Sequence, residues 1–157
     1  MSGTHGGERS QLRELCARCI VLIRARDAWH GVGSVQTVSV KALSIRQPWA
    51  YLVVSGTKTI ENRHWTTEHR GLLLIHAAVS LARDARYDLR RLNVSVPDLL
   101  PRGALVGYAE LVDVITDSLD PFFVGPFGFV LRNAQPLKKP IPMTGRSGIF
   151  EVGQISL

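Results

Sequence analysis

Within Gly56-Thr-Lys-Thr-Ile-Glu-Asn-Arg63 an ammonium, a carboxylate and a guanidinium are carried on Lys58, Glu61 and Arg63. A compact cation on a flexible stem, a proton acceptor and a planar five-donor fork together suit the binding of a phosphate and the reading of a base's polar edge. Gly56 supplies the backbone freedom for a tight turn just before them. On an extended strand Glu61 and Arg63 project to one face, whereas Lys58 falls in the turn, where that parity does not hold, so the three can converge on one cleft. The plain alternative is a surface turn leading into an exposed strand, with a Glu/Arg pair worth under about 1 kcal/mol.

Several other side chains are candidates for the same cleft. Ser44 and Arg46 share one face of the strand before the motif, and Gln47 and Trp49 lie at the turn that follows. Trp49 either stacks on a base or anchors the core of a short helix. His76 ends an apolar run and is either a hydrogen-bonded structural residue or a site residue. Glu110 lies in mid-strand on the face of Val106, Tyr108 and Val112, where an unpaired charge is costly, so it is either paired or faces the cleft. Arg146, in Thr-Gly-Arg-Ser-Gly, sits in a loop able to close on a phosphate.

The elements that position these residues follow from local signals. Val40–Ile45 alternates as a strand, and Gln47-Pro48 then resets the backbone. A short helix is expected over Pro48–Ser55, with Trp49, Leu52 and Val53 on its apolar face and Gly56 as a left-handed cap. Thr59–Arg63 and Gly71–Ala77 read as strands. Ser80–Leu92 reads as a charged surface helix with Leu81, Ala85, Leu89 and Leu92 inward. Ala104–Ile115 is a long strand that Gly107 allows to bend, and Phe127–Leu131 and Ile149–Ile155 supply the last two. The pattern is α+β, a mixed sheet curling into a small barrel flanked by short helices rather than a regular βαβ alternation.

Residues 1–39 differ from the rest. A Gly-rich start precedes an amphipathic pattern at Leu12, Leu15, Cys16, Cys19, Ile20 and Ile23, then a linker through Gly31, Gly33 and Ser34. They read as an appendage: a helix packing on the domain, an unstructured tail, or a start placed too far upstream. Residues 40–157 are expected to form one domain. The charge of +6 leaves the domain itself near +4, from fourteen basic and ten acidic residues, which is compatible with an anionic partner.

Four segments in order carry a resemblance: Leu43-Ser-Ile-Arg-Gln-Pro-Trp49, the motif itself, Gly71-Leu-Leu-Leu-Ile-His76 and Gly103-Ala-Leu-Val-Gly-Tyr-Ala-Glu110. Together they resemble the ASCH domain, a branch of the PUA-like barrels, over about Val40–Leu157. Gly56, Lys58, Glu61 and Arg63 fill its G-x-K-x-x-E-x-R signature. The resemblance implies a small β-barrel whose signature lines a cleft for RNA, single-stranded nucleic acid or a modified nucleoside. It also implies three activity classes among relatives: removal of the acetyl group from N4-acetylcytidine, RNA cleavage, and binding alone. The deacetylating branch is similar at Lys58 and Arg63 but carries threonine where this chain has Glu61.

Hydrolysis of an amide needs a nucleophile or base, a proton donor to the leaving amine and stabilisation of an oxyanion. Lys58 is the candidate nucleophile or base, with Glu61 or Glu110 as its acid/base partner. For that role Lys58 must be neutral part of the time, which desolvation and nearby Arg46 or Arg63 favour and Glu61 opposes. Ser44, Arg46, Gln47, Trp49, Arg63, His76 and Arg146 are the candidate binding residues. The leading expectation is recognition of RNA or a nucleoside; a hydrolase or ribonuclease is the competing one, and a protein-interaction module using the N-terminal helix a third.

Other classes find little support. Cys16 and Cys19 form a lone C-x-x-C with no second pair, and His64 and His69 have no matching ligand set, so no metal is expected. Gly31-Val-Gly33 lacks the third glycine of a dinucleotide fingerprint, no phosphate loop of the G-x-x-x-x-G-K-S/T type occurs, and no cofactor is expected. Phe122, Phe123, Phe127 and Phe129 are expected to close a core beneath a loop. The longest apolar runs, Cys19–Ile23 and Leu72–Val79, fall short of the ~20 residues that span a bilayer. The N-terminal arginines are a poor match to a secretory signal, so a cytoplasmic location is expected.

Overall fold

The computed structural model describes residues 37–156. The amphipathic pattern from Leu12 to Ile23, with Cys16 and Cys19, and the linker through Gly31, Gly33 and Ser34 lie outside the described residues. Six strands and two short helices follow in the order β1 (Thr37–Gln47), α1 (Trp49–Val54), β2 (Ile60–Arg63), β3 (Gly71–Leu81), α2 (Ala85–Arg91), β4 (Ala104–Ile115), β5 (Phe127–Pro142) and β6 (Ile149–Ser156).

The strands form one mixed sheet in the order β2-β5-β4-β3-β1-β6. β1 runs parallel to β3, with Leu43 opposite Ile75 and Ser44 opposite His76, while β3–β4, β4–β5 and β2–β5 are antiparallel. The α+β reading holds. The sheet has two ends, β2 and β6, so the ladders among the described residues do not close the expected barrel. Lys41–Phe150 form one compact unit.

The core of that unit lies where α1 covers the sheet. Leu43, Ile45, Leu73, Ile75, Ala77, Ala109, Leu111, Phe129 and Leu131 meet Ala50, Val53 and Val54 of the helix. Gly107 makes the close approach possible: a Cβ there would lie 2.4 Å from both Val54 Cγ1 and Gln135 O. The expected bend at Gly107 coincides with a shift of register between β4 and β5.

α1 is shorter than its apolar pattern because both ends are fixed by its neighbours. Gln47 Oε1 accepts Tyr51 N–H at 3.0 Å, satisfying a first-turn donor that proline at the N-cap cannot reach with a side chain. At the other end Gly56 adopts φ +80°, the expected left-handed cap, and Lys58 N–H reaches back to Leu52 O at 2.9 Å.

Two boundaries differ from the sequence expectation. Ser80 and Leu81 belong to β3, not to a helix, because Leu81 pairs with Gln47 past a shift in the β1–β3 register. Helix α2 therefore starts only at Ala85, and Leu81, expected to point inward, is 54% exposed. β5 continues to Pro142 because β4 offers a partner along its whole length, down to Ala104 opposite Pro142. Pro136, which has no N–H for a ladder, stands opposite Gly107 at the irregularity.

Candidate functional site

β2 is an end strand of four residues, hydrogen-bonded to β5 with Glu61 opposite Phe129 and Arg63 opposite Phe127. The two-residue period thus holds for Glu61 and Arg63, and the turn after α1 delivers Lys58 to the same place. Lys58 is 4% and Glu61 7% exposed. Lys58 Nζ donates to Glu61 Oε2 at 2.6 Å and also to the Ile60 carbonyl. Glu61 Oε1 in turn faces Arg63 Nη2 at 3.3 Å.

Arg63 closes the chain onto β1, Nη2 donating to the Ser44 carbonyl at 2.7 Å. Its guanidinium lies 6.0 Å from the centre of the Trp65 ring, within reach of a cation–π contact. Trp65 stands edge-on to Phe129 at 5.1 Å and so ties the guanidinium to the core. Desolvation by burial lowers the pKa of Arg63, Glu61 opposes that shift and Arg46 adds to it. A guanidinium titrates so far above neutrality that it stays charged, and the shift records a cation held out of water by its carboxylate partner.

Ser44 connects this chain to His76. His76 Nε2 lies 2.9 Å from the Met143 carbonyl, which can only accept, so Nε2 carries a proton, and in the neutral ring Nδ1 accepts the Ser44 hydroxyl at 3.0 Å. The loop that bears Arg146 packs directly over this pair: a Cβ on Gly145 would lie 2.3 Å from His76 Cε1 and 2.7 Å from Ser44 Oγ. Arg146 itself is exposed, as is Arg46.

Both ends of the Gln47 amide are used inside the fold, Nε2 donating to Pro101 O at 2.9 Å and Oε1 capping α1. Trp49 packs half-buried on the core. Glu110 alternates with the buried Ala109 and Leu111 on β4, pairs in register with Leu72 and Arg132, and accepts Asn133 Nδ2–H on Oε2 at 3.0 Å. Glu61, by contrast, lies beside Phe129, which shares the core with Leu111. Among the described residues no group of three or more His, Cys, Asp or Glu is placed to hold a metal ion. Nor is any helix among them long and apolar enough to cross a membrane.

Two residues escape the sequence reading. Trp65 continues the parity of Glu61 and Arg63, and that spacing was the signal available for it. Asn62 points the other way and organises the loop before β5: Nδ2 donates to Phe122 O at 2.8 Å, and Oδ1 accepts Val124 N–H at 2.8 Å and Gly125 N–H at 3.2 Å. Thr59 adds a long contact to Asp120 at 3.4 Å. Nothing local marks Asn62, since its partners lie some sixty positions along the chain.

The end strand β2 and the turn before it bring together the lysine, glutamate and arginine of G-x-K-x-x-E-x-R, with a tryptophan beside the arginine. The family profile described as the ASCH domain matches residues 43–122, just over half of the chain, and the chain belongs to that family. In an alignment of 126 positions that covers 70% of the chain, it is 32% identical to activating signal cointegrator 1 of Homo sapiens and 31% identical to that of Mus musculus. The match spans only 22% of the length of each of those proteins. The crystal structure of ASCH from Zymomonas mobilis superposes with a TM-score of 0.46 at 18% identity, covering 72% of this chain and 87% of that one.

Proposed function

We propose that the chain recognises single-stranded RNA or a nucleoside, with Arg63 as the contacting group and Lys58 and Glu61 as the pair that positions it. The observation that carries this reading is the continuous chain Lys58–Glu61–Arg63–Ser44 O. An ammonium directed at a carboxylate and a carbonyl is a donor already engaged, not a waiting nucleophile. Among the described residues both contacts of Arg63 use Nη2 and its Nε is buried without a hydrogen-bond partner; on this reading Nη1 meets the external acceptor, and Trp65 beside it offers an aromatic edge. Family membership adds nucleic acid as the expected partner class. Glu61, where deacetylating relatives carry threonine, is here the link between lysine and arginine.

Turnover is the competing reading, with Lys58 as nucleophile or base and Glu61 or Glu110 as its partner. Incubation with N4-acetylcytidine and with RNA separates the two. The proposed reading expects salt-sensitive binding of single-stranded RNA that weakens in Arg63→Ala, and no product. Product from the wild type that disappears in a folded Lys58→Ala variant would overturn it in favour of a hydrolase or ribonuclease. Residues 40–157 are proposed as the domain that suffices: a chain starting near Val38 should bind as the full chain does. A partner held only when residues 1–39 are present would favour a protein-interaction module.

A further inference from the structure

Helix α2 carries a dense set of arginines on a short surface element. Arg83 precedes it, and Arg86, Arg90 and Arg91 lie on it, all exposed. Residues three and four apart on a helix are surface neighbours, so Arg86, Tyr87 and Arg90 form one ridge continued towards Arg83. Arg91 is occupied by Asp88 at 3.6 Å. Arg90 Nε donates to Arg86 O at 3.2 Å, which steadies the ridge without neutralising it. Among the described residues Arg83, Arg86 and Arg90 make no ion pair, although Asp84 stands beside them and tempers the local charge. Tyr87 is 69% exposed in their midst. An ordinary solvated helix face needs no bare aromatic ring. Unpaired guanidinium groups around an exposed ring are what a sequence-tolerant site for single-stranded nucleic acid requires.

The ridge also connects to the signature cluster along the chain's own ladders. Arg63 is bonded to Ser44 O, which places its guanidinium two residues from exposed Arg46 on β1. Gln47, next to Arg46, pairs with Leu81, and the Gln47 carbonyl accepts Ala82 N–H at 2.9 Å. Arg83 is the next residue. Arg63, Arg46, Arg83, Arg86 and Arg90 therefore follow one another over neighbouring backbone.

We propose that these arginines form a continuous track on which a single RNA strand runs from the signature cluster to α2, its phosphates on the guanidinium groups and a base against Tyr87. The proposal rests on the reading of the cluster as an RNA contact. It adds a length requirement: a mononucleotide or trinucleotide fills only the cluster, and a longer strand reaches α2.

The experiment compares a trinucleotide with an oligouridine of about twelve nucleotides, within the range of single-strand site sizes, by fluorescence anisotropy across a salt series. The proteins are the wild type, Arg63→Ala and the triple variant Arg83→Gln/Arg86→Gln/Arg90→Gln, whose substitutions are all at exposed positions; thermal melting verifies that each is folded. The triple variant should bind the longer strand several-fold more weakly and lower the slope of log K against log salt by about 2, three phosphates at ~0.7 each, with the trinucleotide unaffected. Tyr87→Ala should weaken the longer strand alone. Wild-type behaviour of the triple variant with the longer strand overturns the track, and the cluster reading stands if Arg63→Ala still weakens both ligands. Loss in the triple variant with none in Arg63→Ala overturns the cluster reading and the continuous track with it. A wild type that binds neither ligand overturns both.

Discussion

Two groups of charged residues in this protein are handled in opposite ways. Lys58, Glu61 and Arg63 are drawn largely out of water, the two cations sharing one carboxylate through contacts of 2.6 and 3.3 Å. Arg83, Arg86 and Arg90 on and beside α2 stay in solvent without a carboxylate partner among the described residues. Burial makes a charge expensive unless its partner is held in place, so the first group has one geometry and the fold is built to keep it. Solvent makes a charge cheap, so the second group has many geometries and contributes attraction without selectivity. Under the proposed reading the difference separates two tasks of recognition: a guanidinium fixed at one spot, and a diffuse field along the strand leading to it.

The largest expected difference between the two regions is in stability. Glu61→Ala removes the carboxylate shared by Lys58 and Arg63 and leaves a buried and a largely buried cation without it, which should cost about 3–5 kcal/mol in chemical denaturation. Arg86→Gln should change stability by less than about 0.5 kcal/mol. Comparable losses would mean that the buried chain is no more than a solvated pair.

A smaller effect concerns the loop behind the signature. Asn62→Ala leaves the Phe122 carbonyl and the Val124 and Gly125 amides without their partner, at a cost of about 1–3 kcal/mol. Hydrogen exchange should rise at Val124 and Gly125 and remain unchanged in α2. Protection retained at those amides would show that the loop holds itself.

The smallest is a pH effect from the strand entrance. Desolvation lowers the pKa of His69 below its ordinary value of about 6.5; the Leu72 carbonyl opposes this, and Lys41 and Arg70 add to it. The unfolded chain therefore binds this proton more readily than the folded one. Stability should fall as pH drops through about 6.5 and level off below the folded pKa. His69→Gln should flatten that part of the stability profile.

Much of the site was legible because its signals are local. The glycine cap at Gly56 depends on a helix end two residues away, and the shared face of Glu61 and Arg63 on strand parity alone. β4 was readable end to end for the same reason, its apolar residues recurring from Ala104 to Ile115 with only Glu110 and Asp113 charged among them. What was hidden depends on partners distant in sequence. Ser80 and Leu81 carry helical periodicity, yet Gln47 recruits them to a parallel strand. β5 looks finished at Leu131, yet β4 draws it on to Pro142. The engagement of the Gln47 amide by Pro101 and Tyr51 was hidden in the same way. Asn62 sits inside the signature, but only the folded loop at 122–125 reveals its work. The expected barrel belongs to the same group, because closure is a property of ladders between ends, and β2 and β6 are not joined among the described residues.

Under the proposed reading Glu61 acts on RNA through Arg63. A double-mutant cycle tests it most directly, with affinity for single-stranded RNA measured for the wild type, Glu61→Gln, Arg63→Ala and the combination, at a temperature where all four are folded. Glu61→Gln should weaken binding in the wild-type background and have no further effect once Arg63 is alanine. Equal and additive losses from the two substitutions would mean instead that Glu61 acts on the ligand independently of the arginine it is proposed to hold.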